Sequence, residues 1–300
     1  MKMQKKYILG IDIGGTNFRT GLVSESYTVE DFRKKSSLTL QNGDFIKNLS
    51  EEIKDYINKY RGEIEGVGIG FPSCVSKDKK FVYSTPNMKN LDNVNVTDKL
   101  SEILNIPVYI NKDVNFLMLD DIKKHNMEKD KIVLGFYIGT GFGNAVYING
   151  LILEGKNGVA GELGHIPVMN SEEECPCGNT GCIEIYASGK KLQKISQENF
   201  PDDKIDDIFV KHKESKVIKE FIETLALPIA TEINIFDPDY IIIAGGVPMM
   251  KEFPRDYLNQ CIRKHARKPY PAENLNIIYS EHDQKSGVLG AAYYIRNMKG

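Results

Sequence analysis

The stretch Leu9-Gly10-Ile11-Asp12-Ile13-Gly14-Gly15-Thr16 decides how this chain reads, because its frame returns as Leu134-Gly135-Phe136-Tyr137-Ile138-Gly139-Thr140-Gly141. In each copy an apolar run ends in a glycine turn that also carries threonine, and a second strand comes next. The first copy joins the strands Tyr7 to Ile13 and Phe18 to Val23; the second joins Lys131 to Ile138 and Asn144 to Ile148. Two copies so far apart are not a solenoid period. They point to two related α/β halves, each presenting a glycine-rich turn to a shared cleft. The competing explanation is a chance likeness between two strands that end in glycine.

Working outward, strands and helices alternate, the pattern of an α/β fold. Asp44 is placed to cap a helix whose apolar positions Phe45, Leu49, Ile53, Tyr56, Ile57 and Tyr60 recur at three and four. Strands are expected at Gly66 to Phe71, Pro107 to Ile110 and Tyr240 to Ala244. Helices are expected at Thr97 to Asn105, Asp113 to His125, Val217 to Phe236 (kinked or broken at Pro228) and Ser286 to Met298. The division between halves is expected between residues 112 and 130. The expectation is a smaller domain over 1–117 and a larger one over 118–300, with the helix from about 287 to 300 packing back on the first.

Among 300 residues, 39 are Lys or Arg and 41 Asp or Glu, a net charge of −2, with 41% hydrophobic and 27% charged residues. Wholesale disorder, a collagen-like chain and a disulfide miniprotein are excluded. No broad positive field exists to hold nucleic acid. The basic run Arg263-Lys264-His265-Ala266-Arg267-Lys268 reads as a solvated helix face. No signal peptide and no apolar run of about 18 residues is found, so a cytoplasmic protein outside the membrane is expected.

Cys175, Cys177 and Cys182 cluster, and in a reducing compartment such clustering points to metal. With His165 of Gly161-Glu162-Leu163-Gly164-His165 they make a Cys₃His set, sufficient for tetrahedral zinc in a closed, structural site. The spacing differs from the paired CxxC of zinc fingers, but Gly178 and Gly181 suit a tight loop around an ion. Cys74 and Cys261 read as small buried side chains. His125, His212, His265 and His282 stand in no comparable context.

Three glycine turns come after apolar strands: Gly14-Gly15-Thr16, Gly139-Thr140-Gly141 and Gly245-Gly246. The first two can aim amide groups at an anion, and Asp12 adds a carboxylate for Mg²⁺, directly or through water. The third lets a flat ring approach the backbone. Plain hairpin turns are the competing reading. No P-loop motif and no protein-kinase motif set occurs. Asp113, opening a helix in Asn111-Lys112-Asp113-Val114-Asn115, is either a helix cap or a general base for an attacking hydroxyl.

Taken together, Asp12-x-Gly14-Gly15-Thr16 with Gly21, Asp113-x-Asn115, Gly139-Thr140-Gly141, Glu162-x-Gly164-His165, the CxCGxxGCxE block ending at Glu184, and Gly245-Gly246-Val247 resemble the ROK family of sugar kinases and sugar-responsive repressors, within the actin-like ATPase superfamily. The motifs span essentially the whole chain. The helix-turn-helix of the repressors is not expected here, since a strand begins at Tyr7. Within the family, Phe71-Pro72-Ser73-Cys74-Val75-Ser76-Lys77-Asp78-Lys79, Ser84-Thr85-Pro86-Asn87, Lys112-Asp113-Val114-Asn115, Asn234-Ile235-Phe236-Asp237-Pro238-Asp239 and Phe253-Pro254-Arg255 are most similar to kinases of D-allose. Two departures stand out: Lys112 where many members have Asn, and Gly143-Asn144 where many have Gly-Gly.

The resemblance implies two actin-like, ribonuclease H-like α/β domains around a central cleft, with a zinc loop over 165–184. It implies ATP phosphates against Asp12, Gly14, Gly15, Thr16, Gly139, Thr140 and Gly141, adenosine beside Gly245 and Gly246, and Asp113 as base. Asn87, Lys112, Asp113, Glu162, His165 and Glu184 would hold the sugar. The implied reaction is phosphorylation of a free aldohexose at its 6-hydroxyl, D-allose first, with ATP, Mg²⁺ and structural Zn²⁺. Glucose or an N-acetylhexosamine is the alternative within the family; a sugar-sensing protein without catalysis is the alternative of another class. Neither a nucleic-acid nor a membrane partner is implied, and the sequence leaves the oligomeric state open, a homodimer among the options.

Overall fold

The computed structural model describes residues 5–84, 91–168 and 171–299. In chain order the elements are β1 (Tyr7–Ile13), β2 (Asn17–Ser24), β3 (Val29–Ser36), α1 (Leu38–Gln41), α2 (Phe45–Lys59), β4 (Ile64–Phe71), β5 (Cys74–Val75), β6 (Phe81–Ser84), β7 (Val94–Asn95), α3 (Val96–Leu104), β8 (Val108–Lys112) and α4 (Asp113–Lys124). The later elements are β9 (Ile132–Ile138), β10 (Phe142–Ile148), β11 (Leu151–Ile152), α5 (Gly189–Asn199), α6 (Ile208–His212), α7 (Lys216–Phe236), β12 (Tyr240–Ala244), α8 (Arg255–His265), β13 (Ile277–Tyr279) and α9 (Ser286–Lys299). No helix among the described residues is long and apolar enough to cross a membrane.

The chain forms two compact units: Met1–Met127 with Glu154–Ala160 and Asp283–Gly300, and Glu128–Leu153 with Gly161–His282. The first stretch of the first unit runs to Met127, because α4 is one continuous helix that packs on α9. At Gly290 of α9 a Cβ would run into the backbone of Phe116.

In the first unit the sheet order is β3-β2-β1-β4-β8, antiparallel from β3 to β1 and parallel from β1 to β8. Alternation along β1 sorts its side chains. Leu9, Ile11 and Ile13 join the core made with Phe45, Leu49, Ile53 and Tyr56 of α2 and Val96, Leu100 and Leu104 of α3. Ile8 faces the other way, onto Val288, Ala292 and Ile295 of α9. On that face Gly10 lets the helix backbone touch the sheet, since a Cβ there would strike the Val288 carbonyl. Asp44 caps α2 as expected, accepting from the Lys47 N–H at 3.0 Å.

The second unit repeats the grammar. Its order is β11-β10-β9-β12-β13, with β9 antiparallel to β10 and parallel to β12, as β1 is antiparallel to β2 and parallel to β4. The repeated Leu-Gly…Ile-Gly frame therefore marks two related sheets. Ile218, Phe221, Ile222, Leu225, Ile229 and Ile233 of α7 bury one face of this sheet. Helix α7 runs unbroken through the buried Pro228, where the sequence left a break open.

Several elements differ from the sequence reading. Strand β3 carries Glu30, Asp31, Arg33, Lys34 and Lys35, a composition unlike a core strand but suited to a sheet edge, where charges block pairing with another chain. The basic run is only in part a solvated face. Arg263 donates to the Ala272 and Leu275 carbonyls and Lys268 to the Lys264 and Ala266 carbonyls, tying α8 to the turn after it. Cys261 is buried, whereas Cys74 is only half-buried.

One buried polar pair lies inside the second unit. Asn144 of β10, 1% exposed, donates to Glu232 of α7, 5% exposed, at 2.7 Å and to the Gly135 carbonyl at 3.1 Å. Burial pushes the Glu232 carboxyl up to about 7, against the opposing bond from Asn144. A carboxyl raised in the native state keeps its proton while the unfolded chain has lost it. Its contribution to stability is therefore fully present below about 4.5 and is lost as pH rises to about 7, at most about 3 kcal/mol in all. Glu232→Gln, neutral at every pH, should match the wild type near pH 4 and exceed it by about 1–3 kcal/mol at pH 8 in denaturant melts. A difference that does not change with pH would show that Glu232 is ionised in the native state.

Candidate active site and metal centre

In open α/β sheets, ligands gather beyond the carboxyl ends of parallel strands. In the first unit β1 ends at Asp12-Ile13, and β8 ends at Lys112 with Asp113 next in chain. In the second, β9 leads into Gly139 and β12 into Gly245. The candidate residues of each unit thus stand at one end of its sheet.

The turn after β1 closes through Gly14 N–H to Asn17 O at 2.9 Å, and Ser37 Oγ donates to the Gly14 carbonyl at 2.6 Å. Gly15 and Thr16 are exposed. Asp12 lies against the first turn of α9, where a Cβ on Gly287 would come within 2.6 Å of its Cγ. Arg19, opposite Asp12 in the β1–β2 ladder, approaches its carboxylate at 3.4 Å. The Asp12 side chain is 17% exposed, and its carboxylate is of the kind that suits a hard cation or its water shell. The sequence reading missed Arg19 and Gly287; the register that pairs Arg19 with Asp12 becomes visible only with the fold.

Asp113 opens α4, and its Oδ1 accepts from the Val114 N–H at 2.8 Å. It is the first residue of its helix, with Lys112 at the cap position, so it is not the capping residue, and it remains partly exposed. Asn111, fully buried beside it, receives on one oxygen the Lys112 N–H at 2.9 Å, Asn115 Nδ2 at 2.9 Å and Lys79 Nζ at 3.3 Å. This knot fixes the backbone beneath Asp113. Lys112 is 4% exposed and donates to the Ala160 carbonyl at 3.0 Å. Asn87 lies outside the described residues.

In the second unit three loops meet at the end of β9. Val247 N–H donates to the Ile138 carbonyl at 3.0 Å, so the Gly245-Gly246 loop lies beside the Gly139 turn. The start of α5, which the sequence reading missed, joins them: Gly189 N–H donates to Gly139 O at 2.8 Å and Lys190 N–H to Thr140 O at 3.1 Å. The Ser188-Gly189 pair, a cap residue and a small residue before an amphipathic run, was its available signal. At both Gly139 and Gly246 a built Cβ meets nothing within 4 Å, so each faces open space. Gly141 is different. A Cβ there would overlap the Glu184 carboxylate, whose Oε2 accepts from the Phe142 N–H at 2.7 Å. Glu184, expected on the sugar, thus also braces the turn expected on the phosphates.

Glu184 comes directly after the cysteine loop. The ligand atoms of His165, Cys175, Cys177 and Cys182 all lie within 4.8 Å of one another. Two edges are 3.6 Å (Cys177 Sγ to Cys182 Sγ) and 3.7 Å (Cys175 Sγ to His165 Nδ1). Bond lengths of about 2.3 Å to sulfur and about 2.0 Å to nitrogen give a tetrahedron with edges of about 3.5–3.8 Å, so the four residues fit Zn²⁺. Without a cation, burial and the neighbouring sulfurs push the Cys182 thiol up to about 12. Burial works the same way at Cys177, but the Asn179 N–H and the adjacent thiols outweigh it and its pKa falls. A bound cation holds all three as thiolates. His165 Nε2 points away from the sulfurs and lies 3.7 Å from Glu162 Oε2. Metal on Nδ1 would therefore fix the ring with its other nitrogen beside Glu162. Cys177→Ser should lose the metal and lower both thermal stability and sugar affinity, through Glu162, His165 and Glu184. Elemental analysis of protein purified without chelator checks the premise, and absence of zinc there would remove it.

The sequence profile of the ROK family matches residues 8–298. A glucokinase of Thermotoga maritima is 28% identical, over 99% of this chain and 100% of its own. An N-acetyl-D-glucosamine kinase of Haemophilus influenzae is 28% identical, over 94% of this chain and 97% of its own. Among solved structures, a ROK family glucokinase from Streptomyces griseus in complex with glucose and AMPPNP superposes with a TM-score of 0.80 at 25% identity, covering 97% of this chain and 99% of its own. The matched span holds all three glycine turns, Asp113 and the four residues of the Cys₃His set, and this chain belongs to the ROK family.

Proposed function

We propose that this chain is an ATP-dependent hexose kinase that phosphorylates the 6-hydroxyl of a free aldohexose, D-allose first. The observation that carries the reading is the setting of Asp113. Its carboxylate stands at the carboxyl end of β8, partly exposed, on a backbone held from below by the Asn111 knot. A general base needs such a rigid support and open face.

Asp113 takes the proton of the sugar hydroxyl as its oxygen bonds to the γ-phosphorus. The bond from that phosphorus to the β–γ bridging oxygen breaks, and its electron pair leaves with ADP. The chain's contribution is placement and charge. The turns at Gly14, Gly15 and Thr16 and at Gly139, Thr140 and Gly141 take the phosphates. The open face of Gly246, beside Gly245, takes the adenosine. Asp12 would hold Mg²⁺, which supplies charge neutralisation on the transferred group. Glu162, His165 and the remaining oxygen of Glu184 hold ring hydroxyls; Asn87 is assigned to the sugar with them, and Lys112 comes next to Asp113 in sequence. The Cys₃His set would hold Zn²⁺, which supplies rigidity to His165 and the loop that ends at Glu184.

Allose is assigned from the segments similar to allose kinases and from the loss at position 112 of the Asn that many members carry. An Asn at position 112 would offer a donor and an acceptor; Lys offers donors only, and this one is buried. Allose differs from glucose only by inversion at C3, and a displaced hydroxyl leaves buried polar groups unpaired at about 1–3 kcal/mol each. Glucose or N-acetylglucosamine is the second reading, favoured by the names of the relatives.

Two measurements test this. Steady-state kinetics with ATP and Mg²⁺ over a panel of aldohexoses should give a kcat/KM for allose at least about tenfold above glucose; equal or better turnover of glucose decides for the second reading. Asp113→Asn should keep sugar binding yet lower kcat by about 10²–10⁴, and near-normal turnover would remove Asp113 from the mechanism. No ADP release with any sugar would leave a sugar-sensing protein.

A further inference from the structure

Two lysines close on the two ends of one short segment of the first unit, Glu154–Ala160. Lys79 Nζ pairs with Glu154 Oε1 at 2.7 Å, and Lys112 Nζ donates to the Ala160 carbonyl at 3.0 Å. Within the segment the Ala160 N–H donates to Glu154 O at 3.1 Å, which closes it into a loop. Gly158, at φ +85°, lies flat on the β5 strand; a Cβ there would come within 2.5 Å of Val75 O and 2.6 Å of Lys77 N. Both lysines also belong to the Asn111 knot beneath Asp113, Lys79 through its ammonium and Lys112 through its backbone N–H.

The clasp holds the chain just before the residues expected on the sugar. Gly161 turns the backbone at φ +78°, against Asn144 of the second unit, where a Cβ would come within 2.9 Å of Asn144 O. Glu162 and His165 come next. A buried ammonium is tolerated only when hydrogen-bonded, and a charge-assisted bond to a carbonyl is stiffer than a neutral one. Lys reaches Ala160 on a four-carbon stem, a distance beyond the short side chain of Asn.

We propose that Lys112 is a positioning residue: its ammonium fixes Ala160, and with it the register in which Glu162 and His165 meet the sugar. It does not read the ring. This rests on the kinase reading above and assigns the departure at position 112 to the backbone rather than to a ring hydroxyl.

The test compares wild type, Lys112→Met, Lys112→Arg and Lys79→Met as full-length, metal-loaded protein. Lys112→Met keeps the stem and removes the charge. Hydrogen exchange at Ala160 to Glu162 should quicken at least about tenfold in Lys112→Met, with a smaller effect in Lys79→Met at the Glu154 end. The KM for sugar should rise about tenfold for allose and glucose alike, with KM for ATP unchanged and Lys112→Arg restoring most of the loss. A changed allose-to-glucose ratio in Lys112→Met would mean that Lys112 reads the ring, and unchanged exchange would mean that it holds nothing; either overturns the proposal. Should Lys112→Met fail to fold, Lys79→Met decides by the same exchange and KM readings. Wild-type protein without kinase activity would instead remove the kinase reading, and exchange would still report on the clasp.

Discussion

A carboxylate stands where a side chain would have to be. Glu184 fills the space beside Gly141 and accepts the Phe142 N–H, and the rest of the candidate site in the second unit is referenced to that contact. Cys182, two residues earlier, belongs to the metal set. Gly164, between Glu162 and His165, lies so close to the Phe142 carbonyl that its Cβ would stand 2.7 Å away. The Gly139 carbonyl on the other limb of the turn receives the start of α5. The cysteine loop, the Glu162-to-His165 stretch and the Gly139-to-Gly141 turn are thus packed as one body, and no member can shift without pushing the others. Such bracing keeps a preorganised site in place at little reorganisation cost.

The same logic explains why the metal set looks structural. It offers four protein ligands, which leaves a tetrahedral ion no open position for a substrate oxygen. A metal there would hold His165 by one nitrogen and anchor Cys182, two residues before Glu184. The electrostatics of the first unit are looser. Asp12 meets Arg19 at 3.4 Å, with 17% of its own side chain exposed.

Much of this was legible in the sequence, and the reason is local. Glycine turns, an apolar frame repeated in both halves and closely spaced cysteines carry their meaning within a few residues, so β1, β9, the turns and the Cys₃His set could be read directly. What could not be read depends on distant partners. Strand β3 carries so many charges that only its edge position explains it. Lys112 is buried because a carbonyl 48 residues further on receives it. Arg19 matters through a strand register, and Glu184 braces a turn 42 residues before it. The basic run near the end of α8 looked solvated because the carbonyls that bind it lie beyond the helix.

The first unit is assembled from three separated stretches of chain, and its third piece carries α9. During synthesis the sheet built on β1 must wait until the whole second unit has been made before Val288, Ala292 and Ile295 arrive to cover Ile8 and Val23. Until then one apolar face stays open to water, the kind of surface that draws chaperones or neighbouring nascent chains. A premature stop before α9 would spare Asp12, Asp113 and the cysteine loop, yet take away Gly287 and strip one face of the sheet beneath Asp12. The fourteen-residue helix α9 thus sets the moment at which that apolar face closes.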